Sequence, residues 1–90
     1  MLNLDLSKQA AAFIDALPQK QQRQLWKRLD GLCADPYPTQ SQKLKGYDFY
    51  RLKAGSFRVV YDVTGETLGV VLIELRNDDE VYKELKRRFG

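Results

Sequence analysis

The chain has 90 residues, 43% hydrophobic and 30% charged, with 15 Lys and Arg against 12 Asp and Glu. That length suits a single domain over residues 1–90 and is too short for two, while the hydrophobic share and the net charge of only +3 exclude an intrinsically disordered chain. One Cys and no His exclude an internal disulfide framework and any Ser-His or Cys-His nucleophile pair, and they argue against a zinc site.

Met1, Leu2, Leu4 and Leu6 alternate with Asn3, Asp5 and Ser7, which predicts a short first strand with Ser7 capping the helix that follows. From Lys8 to Leu17 the apolar residues Ala10, Phe13, Ile14 and Leu17 recur at helical spacing, and Pro18 ends the segment. A second helix is expected over Gln19 to Ala34, with Leu25, Leu29, Leu32 and Cys33 on one stripe, stopping at the turn-forming run Asp35 to Pro38. The two form a helical hairpin.

After Gly46 the period changes to two, and β-branched and aromatic residues become frequent. Strands are expected over Tyr47 to Ala54, Phe57 to Val63 and Thr67 to Leu75, with tight turns at Gly55-Ser56 and Thr64 to Glu66, so the three run antiparallel. Asn77 and Glu80 make a capping-box pattern for a last helix over Asp78 to Phe89, with acids in its first turn and bases in its last. The fold class is α+β in the order β-α-α-β-β-β-α: a small antiparallel sheet, an N-terminal helical hairpin and a C-terminal helix.

The longest apolar run, Leu68 to Ile73, contains Gly69 and reads as a strand, far short of the roughly 20 residues of a membrane-spanning helix. The N-terminus lacks a basic segment followed by an apolar core, so a cytoplasmic location without a membrane partner is expected. Charge is uneven along the chain: residues 41–60 hold Lys43, Lys45, Arg51, Lys53 and Arg58 against Asp48 alone, whereas residues 61–90 hold five bases and seven acids. Such a basic segment suits a polyanionic partner.

Alternation sharpens that reading. Phe49, Arg51 and Lys53 share one strand face, Arg58, Val60 and Asp62 share one on the next, and Leu72 and Glu74 lie on the face of Arg76, with Val71, Ile73 and Leu75 opposite. Four cations, Arg51, Lys53, Arg58 and Arg76, therefore converge on one sheet surface, unless Glu74 and Asp62 merely partner them on a solvated face. Asp78, Asp79 and Glu80 radiate about 100° apart around a helical turn, so they suit the helix dipole and not a metal ion. Cys33 falls on the apolar stripe as a core residue, Trp26 lies at its edge, and Tyr82 can face either the core or the basic sheet.

Three segments together resemble the RelE/ParE superfamily of bacterial type II toxins, RelE-like messenger-RNA interferase branch: Lys43-Leu44-Lys45-Gly46, then Tyr50-Arg51-Leu52-Lys53 with Phe57-Arg58-Val59-Val60-Tyr61, then Arg76 through Tyr82. The resemblance covers nearly the whole chain and implies a metal-independent endoribonuclease that cuts messenger RNA in the ribosomal A site and is neutralised by a cognate antitoxin. No cofactor is implied. It assigns catalytic roles to Lys53, Arg58, Arg76 and Tyr82, and phosphate or RNA binding to Arg51, Lys43 and Lys45. Arg51 stands where RelE has a lysine and, unable to release its proton, binds phosphate, while Lys53, crowded by Arg51 and Arg58, is the candidate base. Arg76 supports the leaving oxygen, and Tyr82 stacks on a base or orients the attacking hydroxyl. Leu72 to Leu75 replaces the glycine and basic residue common in relatives, so Glu74 is placed to pair with Arg76. Two alternatives stand beside this one: a ParE-like toxin inhibiting DNA gyrase without RNA cleavage, and a catalytically silent antitoxin-binding member.

Overall fold

The computed structural model describes residues 1–75 and 77–90. Its elements are β1 (Asn3–Leu6), α1 (Lys8–Asp15), α2 (Gln19–Ala34), β2 (Ser41–Lys43), β3 (Tyr50–Ala54), β4 (Phe57–Thr64), β5 (Thr67–Glu74) and α3 (Asp78–Phe89). The α+β class, the N-terminal hairpin and the C-terminal helix are as expected. The sheet has five strands in the order β1-β5-β4-β3-β2. It holds one strand more than the alternation indicates, because Ser41–Lys43 pairs antiparallel with β3 at the sheet edge. It is also mixed: β1 lies parallel to β5, with Leu4 beside Leu68. A parallel pair requires a crossover, and the helical hairpin, β2, β3 and β4 all lie between these two strands in sequence.

Local chemistry sets the boundaries. The Ser7 side chain accepts the Ala10 N–H at 3.1 Å to start α1, and Asn77 accepts the Glu80 N–H at 3.2 Å to start α3. The turns joining β3 to β4 and β4 to β5 are two residues long and begin with Gly55 at φ 63° and Gly65 at φ 60°. Positive φ at that position gives the hairpin turn whose twist matches the strands.

The helical hairpin covers one sheet face. Ile14 of α1 and Leu25, Leu29, Leu32 and Cys33 of α2 pack on Leu52, Phe57, Val59, Tyr61, Leu68, Val70 and Ile73. On the other face α3 sets Val81 and Leu85 against Val60, Leu72 and Leu44. A bulge at Val60/Tyr61 pairs Val60 with Leu72 but Tyr61 with Val70, leaving Val71 unmatched. Strict alternation groups Val71 with Ile73. The extra residue breaks the period and packs Val71 on the α3 side. Where β1 has ended, the Gln9 side chain continues the pairing of β5, donating to the Ile73 carbonyl at 2.8 Å and accepting the Ile73 N–H at 2.9 Å. The result is a rigid sheet whose α3 face carries the charged residues.

Candidate active site

Arg51 and Lys53 stand on the α3 face of β3, and Arg58 stands on the same face of β4. Lys53 is directly opposite Arg58 in the register, and Arg58 is opposite Glu74 of β5. The expected gathering of Arg51, Lys53 and Arg58 on one surface is therefore observed. Arg76, expected to join them, lies outside the described residues.

The anion facing these cations is Asp78. Its Oδ1 lies 3.1 Å from Nε of Arg51 and 3.4 Å from Nε of Arg58. The helix-dipole role read for Asp78 is thus incomplete. As the first residue of α3 it points back at the sheet, because Val81 and Leu85 fix the helix over β4 and β5 and bring its start above β3 and β4. The signal in the sequence was the three like charges on one face, which call for a counter-ion close by.

The two arginines are held differently. Arg51 is 5% exposed. Its Nη2 donates to Gln42 Oε1 at 2.7 Å and its Nη1 to the Gln40 carbonyl at 3.5 Å, so the edge strand β2 locks it. Arg58 is more open, and its Nη1 donates to the carbonyls of Phe57 at 3.2 Å and Gly55 at 3.4 Å. Both guanidiniums bring Nε close to Asp78. Lys53 is exposed and leaves its amine in solvent, while its carbonyl accepts from Arg28 Nη2 at 2.9 Å.

Tyr82 sits one helical turn beyond Asp78 on the same face of α3. It is half-buried against the Val81 and Leu85 cluster, and its hydroxyl accepts the backbone N–H of Lys45 at 2.8 Å. Its ring lies 6.3 Å from that of Tyr47. Of the two options for Tyr82, the core one is observed for the ring, which packs, while the hydroxyl fastens α3 to the loop between β2 and β3. Lys43 and Lys45 border an open depression of about 520 Å³ on this loop, with Lys43 Nζ 3.6 Å from Asp48. A larger groove of about 610 Å³ lies on the opposite sheet face, between α2 and the β3-β4 hairpin, away from the arginines. Cys33 is buried, and burial pushes its thiol above the ordinary range, which makes it a core residue and not a nucleophile.

Against this geometry, residues 4–82 match the family described as ParE toxin of type II toxin-antitoxin system, parDE. The chain belongs to the RelE/ParE family of type II toxins. Solved toxins agree with it. The isolated E. coli RelE toxin is 26% identical over 100% of both chains with a TM-score of 0.72. A double arginine-to-alanine variant of E. coli RelE in the free state is 28% identical, with 99% of this chain and 98% of that one covered and a TM-score of 0.75. RelE in the archaeal RelE-RelB complex of Pyrococcus horikoshii OT3 is 25% identical, with 81% and 92% covered and a TM-score of 0.71. No curated protein sequence matches the chain. The protein is a toxin with a RelE-like fold, and among its described residues no helix is long and apolar enough to cross a membrane.

Proposed function

We propose that this toxin is a ribosome-dependent endoribonuclease that cuts messenger RNA in the A site. The observation that carries the proposal is the pair Arg51 and Arg58, whose Nε atoms lie 3.1 and 3.4 Å from one carboxylate oxygen of Asp78, with Lys53 opposite Arg58. Two guanidiniums held beside one anion on adjacent strands are preorganised for a phosphate, and such fixed donors stabilise charge that develops on phosphoryl oxygens.

The reaction is an in-line attack of the 2′-oxygen on the adjacent phosphorus. The new O2′–P bond forms as the P–O5′ bond breaks, leaving a 2′,3′-cyclic phosphate and a 5′-hydroxyl. Lys53 is the group that accepts the 2′-hydroxyl proton, from the solvent side of the sheet. Arg51 and Arg58 hold the phosphate, and Arg76 stabilises the leaving 5′-oxygen, which takes its proton from water. Tyr82 fixes the loop carrying Lys45, which with Lys43 at the end of β2 binds flanking phosphates, and its ring offers a base a surface on which to stack. The cation face is shallow, so a ribosome that presents a constrained codon supplies the substrate geometry that the toxin lacks.

A cognate antitoxin completes the reading, because solved RelE relatives are found in complex with the antitoxin RelB. The second functional reading, inhibition of DNA gyrase, draws on the family description, which names ParE. Primer extension on messenger RNA in a purified translation reaction separates the two. Cuts within A-site codons, present only with ribosomes and lost in Arg58→Ala, are expected. Intact messages beside inhibited supercoiling would support gyrase inhibition instead.

A further inference from the structure

Asp78 is where the site departs from an open phosphate seat. Its Oδ1, Arg51 Nε and Arg58 Nε are all buried and, among the described residues, lack a hydrogen-bond partner, although they lie 3.1 and 3.4 Å apart as ion pairs. The charges attract, but the N–H directions miss the oxygen. The two forks are held by β2 and by the β3-β4 turn, and in this arrangement two buried donors remain unused at the centre of the cluster.

We infer that the Asp78 carboxylate is an internal occupant of the phosphate seat formed by Arg51 and Arg58, and that it competes with RNA for that seat. This rests on reading the two arginines as phosphate ligands. A phosphodiester has two non-bridging oxygens, one for each Nε, and so satisfies both donors where a single carboxylate oxygen satisfies neither. Asp78 has somewhere to go: its side chain is 40% exposed, so a rotation about its own bonds carries the carboxylate into water without moving α3. Val81 and Leu85, both fully buried, hold the helix in place meanwhile. Asp78 therefore lowers affinity for free RNA, and a substrate held in register by the ribosome displaces it.

The test compares Asp78→Asn with Asp79→Asn, which changes net charge equally from an exposed neighbouring position. The probe is a fluorescent 2′-O-methyl RNA hexamer, which lacks the attacking hydroxyl, and the readout is its dissociation constant by anisotropy. Asp78→Asn is expected to tighten binding about tenfold, the scale of a lost charge-assisted contact, and Asp79→Asn much less. The gain must vanish in the Arg58→Ala background. Asp78→Ser is the second variant should the amide disturb folding, since serine also suits a helix start. Equal gains in Asp78→Asn and Asp79→Asn, or weaker binding in Asp78→Asn, would overturn the inference. The nuclease reading is scored separately by primer extension: ribosome-dependent cuts without any gain in Asp78→Asn sink the inference alone, whereas a specific gain with uncut messages upholds the seat and sinks the nuclease.

Discussion

The hydroxyl of Tyr82 accepts the backbone N–H of Lys45 at 2.8 Å, which ties the last helix to the loop between β2 and β3. The bond spans 37 residues of sequence. Tyr82→Phe removes it and keeps the ring, at a cost of about 0.5–1.5 kcal/mol in stability. A fall of a few degrees in Tm is expected, with messenger-RNA cleavage reduced but present. Tyr82→Ala also removes the stacking surface, so cleavage should drop much further, by a further ~1–3 kcal/mol of lost base stacking. Thermal melts and primer extension on both variants check the order.

Arg51 and Arg58 face the same carboxylate from different surroundings, and their replacement should separate stability from activity. The Arg51 side chain is 6% exposed and that of Arg58 18%. Arg51→Ala removes a buried guanidinium together with its bonds to Gln42 and the Gln40 carbonyl and is expected to cost about 1–3 kcal/mol. Arg58→Ala opens to solvent and should cost about 0.5–1.5 kcal/mol. Cleavage should fall roughly 100-fold or more in each, as on removal of a preorganised charge-stabilising donor. Urea unfolding beside single-turnover cleavage distinguishes the two effects.

The cation face was legible in the sequence because alternation is a local property: Arg51, Lys53 and Arg58 fall on one side as the period requires. The caps Ser7 and Asn77 and both two-residue turns are local too. The edge strand Ser41–Lys43 is not, since its polar, exposed residues have no apolar pattern and exist as a strand only by pairing with β3. The same holds for the parallel seat of β1 and for Val71, whose side is set by a bulge in another pairing. Local pattern gives Asp78 only its place at the positive end of the helix dipole, because its contact with Arg51 and Arg58 depends on the height and angle of α3 over the sheet, which no local pattern encodes.

Lys53 offers a test of proton transfer that leaves charge unchanged. Its side chain is exposed, and the bond from Arg28 is made to its carbonyl and not to its amine, so Lys53→Arg should alter stability by less than about 0.5 kcal/mol. A guanidinium keeps the positive charge but cannot accept a proton. Binding of the 2′-O-methyl RNA should stay near that of the parent toxin while cleavage falls by about 10²–10⁴, the usual worth of a general base. Equal losses in binding and cleavage would instead make Lys53 a phosphate ligand.

Gln9 carries a structural prediction independent of the site. Its side-chain amide stands in for a strand residue by pairing both backbone groups of Ile73 at 2.8 and 2.9 Å. Gln9→Ala leaves that buried strand position unpaired and should cost about 1–3 kcal/mol. The Ile73 amide proton should exchange faster by more than the global loss of stability explains, which amide exchange by NMR resolves residue by residue.

The last prediction concerns alkaline pH. Tyr61 is fully buried, and its hydroxyl donates to the Pro36 carbonyl. Burial, reinforced by the neighbouring Tyr37, Tyr50 and Asp35, holds its phenol above the ordinary value of 10.0. The unfolded chain therefore releases this proton first as pH rises. Between the two values the folded state binds more protons than the unfolded state, so stability falls with increasing pH. The contribution is intact below about pH 10 and is lost as the pH climbs towards the raised native value, with a limiting slope of about 1.4 kcal/mol per pH unit for one group. Tyr61→Phe should be less stable than the parent at pH 8 by about 1 kcal/mol, for want of the hydrogen bond. It should also lose less between pH 9 and 11, so the gap narrows as pH rises. Urea midpoints at several pH values for the two proteins measure the gap directly, and a gap that stays constant through this range would show that the Tyr61 phenol ionises equally in both states.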